Sequence, residues 1–103
     1  MTITLLIRGA SVSAAMRERA EQQSRGFSRY FNGLQTVEWS FTGEAGDVVV
    51  SCRLHSRTGF YRASARAATV RAGLDGVVEK LLKQRRRKKA ALDRKRRKGA
   101  RAR

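Results

Sequence analysis

A single cysteine, Cys52, rules out an intramolecular disulfide framework in a chain of 103 residues, and nothing marks an oxidising compartment. Proline is absent, so there is no Pro-rich linker, and no internal repeat announces a solenoid. Long apolar runs are also missing. The opening MTITLLIRGA is too short to cross a membrane and has no basic leader, so it predicts neither a signal peptide nor a membrane helix, and a cytoplasmic protein is the expectation. The sequence carries no Gly-rich phosphate loop, paired acids or serine elbow. It therefore predicts no enzyme, no cofactor and no small-molecule substrate. Cys52 and His55 fall on opposite faces of a predicted strand, which argues against a metal pair or a Cys–His nucleophile.

Acidic residues are scarce as well, 8 against 24 Lys and Arg, for a net charge of +16. The excess is uneven: residues 1–84 hold 12 basic and 7 acidic side chains, whereas residues 85–103 hold 12 and 1. Such a balance points to a polyanion, with nucleic acid ahead of an anionic membrane and an acidic protein last. The length suits one domain with a modest core. The division this suggests is a folded domain over residues 1–84 and a basic helical extension and tail over 85–103.

What is present is periodic. Val70, Leu74, Val77, Val78 and Leu81 form the stripe of a helix lying on a core, and the same period then reaches Arg85 and Lys88, so the helix is expected to leave its core near Arg85. Residues 2–7 read as a strand partly buried on both faces. Ser13 reads as a helix N-cap with Val12 as its apolar anchor, and the helix is expected over 14–31, closed by Asn32 and Gly33. Residues 35–42 alternate, with Val37, Trp39 and Phe41 on one face. GEAGD is predicted as a loop, followed by a strand over 47–55 with Val48, Val50, Cys52 and Leu54 inward. After the turn SRTG, a fourth strand over 60–66 points Tyr61, Ala63 and Ala65 one way and Phe60, Arg62, Ser64 and Arg66 the other. Phe60 on that outward face either stacks on a base or covers an edge.

The order is β-α-β-β-β-α, an α+β fold. The helical crossover makes the first two strands parallel and the short turns make the rest an antiparallel meander. Both helices then cover one face of a four-stranded sheet, and Arg53, Arg62 and Arg66 are candidates for the other.

With SAAMRE opening the first helix, YFNGL closing it with Val37 three residues beyond, and GLDGVVEKLLKQ in the second, the chain resembles the short ribosome hibernation-promoting factors, also called ribosomal subunit interface proteins, from the first strand to about Lys89. The resemblance implies a β-α-β-β-β-α domain akin to a double-stranded-RNA-binding domain. It also implies a non-enzymatic factor that stops translation from the decoding channel of the small ribosomal subunit, with that subunit and its rRNA as partners. The family's basic positions along the last helix match Lys80, Lys83, Arg87 and Lys89. Two positions depart from the family pattern: Thr69, Val70 and Arg71 replace an acidic-Met-Tyr step into the second helix, and the glycine after the first strand is Ile7 in the ungapped register, with Gly9 two residues on. The second domain with which long members dimerise is not seen, so a monomer is expected off the ribosome.

The expected RNA-binding residues are Lys80, Lys83, Arg85, Arg86, Arg87, Lys88 and Lys89, with Arg25, Arg29, Arg62 and Arg66 as secondary contacts. The alternative is a general structured-RNA-binding or ribosome-assembly protein that does not inhibit translation. A nucleoid or membrane-surface protein would use the tail alone.

Overall fold

The computed structural model describes the backbone of residues 1–101 and the side chains of residues 1–88. Four strands, β1 (Thr2–Arg8), β2 (Thr36–Glu44), β3 (Asp47–Ser56) and β4 (Gly59–Ala67), form one sheet in the order β1-β2-β3-β4. β1 runs parallel to β2, and the two other pairings are antiparallel. Between β1 and β2 lie α1 (Ala14–Gly26) and a 3-10 turn (Phe27–Arg29); α2 (Val70–Arg101) follows β4.

The inward alternation of β2, β3 and β4 buries Val37, Trp39, Phe41, Val50, Cys52, Leu54, Tyr61 and Ala63. Leu74, Val77 and Leu81 of α2, with Ala20, Phe27 and Phe31 from the α1 segment, close over them. Phe27 and Trp39 stack at 6.3 Å, and Phe31 meets Tyr61 edge-on at 4.7 Å. Trp39 brings an N–H into this core, and Ser24 receives it: Trp39 Nε1 donates to Ser24 Oγ at 2.8 Å, and Ser24 Oγ donates to the Ala20 carbonyl at 2.7 Å. A buried indole donor without such a partner costs about 1–3 kcal/mol.

Ser13 caps α1, its Oγ accepting from Met16 N at 3.2 Å, and Val12 is buried beneath it. Thr69 caps α2 in the same way through Ala72 N at 3.2 Å, and Val70 packs against the core, so the Thr-Val-Arg step still opens the helix. Close packing fixes two glycines. A Cβ on Gly43 would lie 1.9 Å from the carbonyl oxygen of Gly9, and one on Gly73 would lie 2.6 Å from Val50 Cγ2, where α2 settles on the sheet.

Three expectations need correcting. β1 is one-sided: Ile3, Leu5 and Ile7 are half-buried, while Leu6 is exposed because it lies on the face of the sheet that no helix covers. α1 ends at Gly26 and tightens into the 3-10 turn rather than running to residue 31. GEAGD is no five-residue loop. β2 and β3 extend into it, leaving Ala45 and Gly46, both with positive φ, as a two-residue turn of the kind that matches strand twist.

Candidate nucleic-acid interface

β4 is a terminal strand, so the backbone groups on its outer side lack a strand partner, which in isolation invites aggregation. α2 answers with side chains. Lys80, Gln84 and Lys88 recur every four residues and so share one line along the helix. Lys80 Nζ donates to the Ser64 carbonyl at 2.6 Å and Lys88 Nζ to the Thr58 carbonyl at 2.7 Å. Between them Gln84 behaves as a strand would. Its Nε2 donates to the Arg62 carbonyl at 2.5 Å, and its Oε1 accepts the Arg62 N–H at 3.4 Å. Lys88 also lies 4.9 Å from the centre of the Tyr61 ring. Arg85, half-buried, donates through Nε to the Tyr30 carbonyl and sits over the Tyr30 ring at 5.9 Å.

Lys80, Arg85 and Lys88, expected from sequence as RNA contacts, thus also bond the body of the domain. An ammonium has three donors, so one carbonyl leaves Lys80 and Lys88 with capacity for an external anion. Gln84 belongs to this surface but carries no charge, and sequence reading missed it. Its spacing from Lys80 and Lys88 was the available signal.

A groove of about 330 Å³ between β4 and α2 brings together Arg62, Lys80, Lys83 and Arg87. Lys83 pairs with Glu79 one turn back at 3.2 Å, an exposed contact of little energy. Arg86 and Arg87 are exposed and make no hydrogen bond or ion pair among the described residues. Lys89 lies outside the described side chains, although the backbone stays helical to Arg101, about 20 Å of further helix.

The secondary candidates are scattered. Arg66 is tied to the β2–β3 hairpin by Asp47 at 3.0 Å and Glu44 at 3.9 Å. Arg25 and Arg29 are exposed at the end of α1 and in the 3-10 turn, and neither lines the groove.

The uncovered face of the sheet carries Arg8, Arg53, Arg62 and Arg66 against Glu38, Glu44 and Asp47. Arg53 and Arg62 occupy directly opposite positions on β3 and β4, a like-charge pairing that Glu38, opposite Arg53 on β2, offsets from one side only. Beside them His55 and Phe60 stand opposite one another with rings stacked at 4.3 Å and 7°.

Cys52 points the other way, into the core. Burial pushes its thiol far above the usual value, and the nearby Glu38 carboxylate adds to the shift, so the thiol is protonated at neutral pH. Among the described residues no three His, Cys, Asp or Glu side chains converge on a metal position, and no helix is long and apolar enough to cross a membrane. A cleft of about 530 Å³ at the far end of the sheet, between Gly9, the β2–β3 turn and the start of α2, is walled mostly by backbone and small side chains.

A four-stranded mixed sheet with two helices on one face, and a cationic groove between its last strand and α2, define a small α+β domain. The family model described as "Sigma 54 modulation protein / S30EA ribosomal protein" matches residues 3–93, and the chain belongs to that family, the ribosome hibernation-promoting factors. It is a family of ribosome-associated, non-enzymatic factors.

Among solved structures, a ribosomal subunit interface protein from Coxiella burnetii superposes with a TM-score of 0.74 at 19% identity, covering 87% of this chain and 99% of that one. The N-terminal domain of Protein Y from Thermus thermophilus does so with a TM-score of 0.74 at 22% identity, covering 84% and 98%. At these identities the likeness is one of fold. The comparison with curated protein sequences returns no match.

Proposed function

We propose that this protein is a ribosome hibernation factor that occupies the decoding channel of the small subunit through the basic residues of α2 and thereby stops translation. The observation that carries the reading is the cationic line of α2. Lys83, Arg86 and Arg87 stand clear of the core, Lys83 and Arg87 join Arg62 across the groove, and the helix continues toward Arg101.

Ribosomal RNA presents closely spaced phosphates, and each cation that neutralises one releases condensed counterions. Arginine adds bidentate phosphate contact and stacking on unpaired bases. A rigid helix carries this charge at low entropic cost, because its backbone is already ordered when it enters a channel. The protein acts in the cytoplasm, as a monomer off the ribosome, with the small subunit and its rRNA as partners.

The test is co-sedimentation of the purified protein with small subunits, large subunits and whole ribosomes over a salt series, beside a cell-free translation assay. Saturable small-subunit binding with inhibition over the same concentrations is expected. Unsaturating association with any structured RNA and undiminished translation would reduce the chain to a general RNA-binding protein.

A further inference from the structure

On the uncovered sheet face Phe60 is 78% exposed, more than any other large apolar side chain described. The core has no use for it: its register puts it opposite His55, which is itself opposite Thr36, all on the face away from the helices. The two rings are stacked nearly parallel at 4.3 Å, and a hollow of about 250 Å³ adjoins them, lined by Thr36, Glu38, Arg53, Leu54, His55 and Phe60. Arg53 and Arg62 form the next row, two residues along each strand. At the rise of an extended strand that is about 7 Å from the ring pair. A second hollow, about 410 Å³, connects them with Ser51 and Ser64.

Each feature is costly in isolation. An exposed phenyl ring gains nothing from water, and two facing arginines repel, with Glu38 opposite Arg53 offsetting that repulsion on the β2 side alone. Together they match one ligand, a nucleotide whose unpaired base stacks on the rings while its phosphate bridges the guanidinium groups. Glu38 stands directly opposite Arg53 in the arginine row and also lines the hollow beside the rings, where its carboxylate suits the exocyclic amine of a base and leaves the Arg62 side of the row to the phosphate.

We infer that the outer face of the β-sheet is a second RNA site, a stacking platform for single-stranded RNA with His55 and Phe60 holding a base and Arg53 and Arg62 its phosphate. The inference rests on the reading of the protein as an RNA binder but uses none of the α2 cations that carry that reading. A domain with both surfaces grips structured RNA along α2 and an unpaired strand across the sheet.

The test measures binding of a labelled short oligoadenylate and of a short RNA duplex to the full chain, at a salt concentration that suppresses purely electrostatic association. F60A and H55A are compared with F60W, which keeps a stacking surface. Phe60 is exposed, so its loss leaves the fold intact, as circular dichroism will report. Alanine at either position is expected to weaken oligoadenylate binding at least about fivefold, with F60W near the parent and duplex binding unchanged in all three. Oligoadenylate affinity equal to the parent in F60A, or no single-strand binding by the parent chain, overturns the inference. So does a loss of ribosome binding in F60A with single-strand binding intact, which would make the patch a protein-docking surface. A parent chain that binds oligoadenylate through Phe60 yet ignores ribosomes upholds this site and sinks the hibernation reading instead.

Discussion

Two sets of α2 cations, equal in charge, should differ in what their loss costs. In one variant Lys83, Arg86 and Arg87 become glutamine; in the other Lys80, Arg85 and Lys88 do. Among the described residues the first set makes only the exposed Glu79 pair, whereas the second donates to the Ser64, Tyr30 and Thr58 carbonyls.

If each cation of the first set meets a phosphate, removing three lowers the slope of log K against log salt by about 2.7. Between 50 and 200 mM salt the parent should then lose roughly 40-fold more of its small-subunit affinity than the variant does. Its melting temperature should stay within a degree or two. The second set sits at surface positions where a charged hydrogen bond keeps only part of its strength, about 0.5–1 kcal/mol each. That variant should melt roughly 6–24 °C lower, with the smaller change in salt slope. Sedimentation across salt gives the slope and thermal denaturation the stability. Equal slope changes with equal melting temperatures would show that the intramolecular bonds carry no weight and that the division of α2 into two cation sets is wrong.

Ser24→Ala should cost about 1–3 kcal/mol by stranding the Trp39 indole N–H, and the same change in a Trp39→Phe background should cost less; chemical denaturation of the four proteins closes the cycle. Cys52 has a raised folded-state pKa, so the stability it contributes is complete below the ordinary thiol value of about 8.5. Above that pH the unfolded thiol ionises and the folded one does not, so stability should fall by up to about 1.4 kcal/mol per pH unit, a dependence that Cys52→Ala removes. Under native conditions its alkylation should proceed only as fast as the protein opens. Gly43→Ala should destabilise by about 3 kcal/mol or more, because the new methyl meets the Gly9 carbonyl, part of the backbone, at 1.9 Å; a melting temperature near the parent's would contradict the packing described.

Local rules made most of the architecture legible. Val37, Trp39 and Phe41 alternate because one face of β2 is buried, and Val70 to Leu81 repeat every three or four residues because one face of α2 is. Ser13 could be read as a cap because its hydroxyl acts on an amide three residues away. The misreadings arise where a distant element decides. Leu6 looks like core in the run TITLLI, yet both helices pack on the other face of the sheet and leave it in solvent. Ser24 gives no local sign that it will receive the indole of Trp39, fifteen residues on.

The same boundary divides the candidate interface. By itself the sequence determined that the protein carries a large positive charge concentrated after residue 84, that a helix bears its first part, and that one face of each strand stays outside the core, since charge and periodicity are properties of near neighbours. Only the tertiary structure decided which of those cations are occupied. It laid α2 along the open edge of β4, turning Lys80, Gln84 and Lys88 to backbone carbonyls and leaving Lys83, Arg86 and Arg87 outward. It also set the β3–β4 register that stacks His55 on Phe60 and opposes Arg53 to Arg62. Strand register and helix docking are fixed by contacts between residues far apart in the chain, and no local pattern contains them.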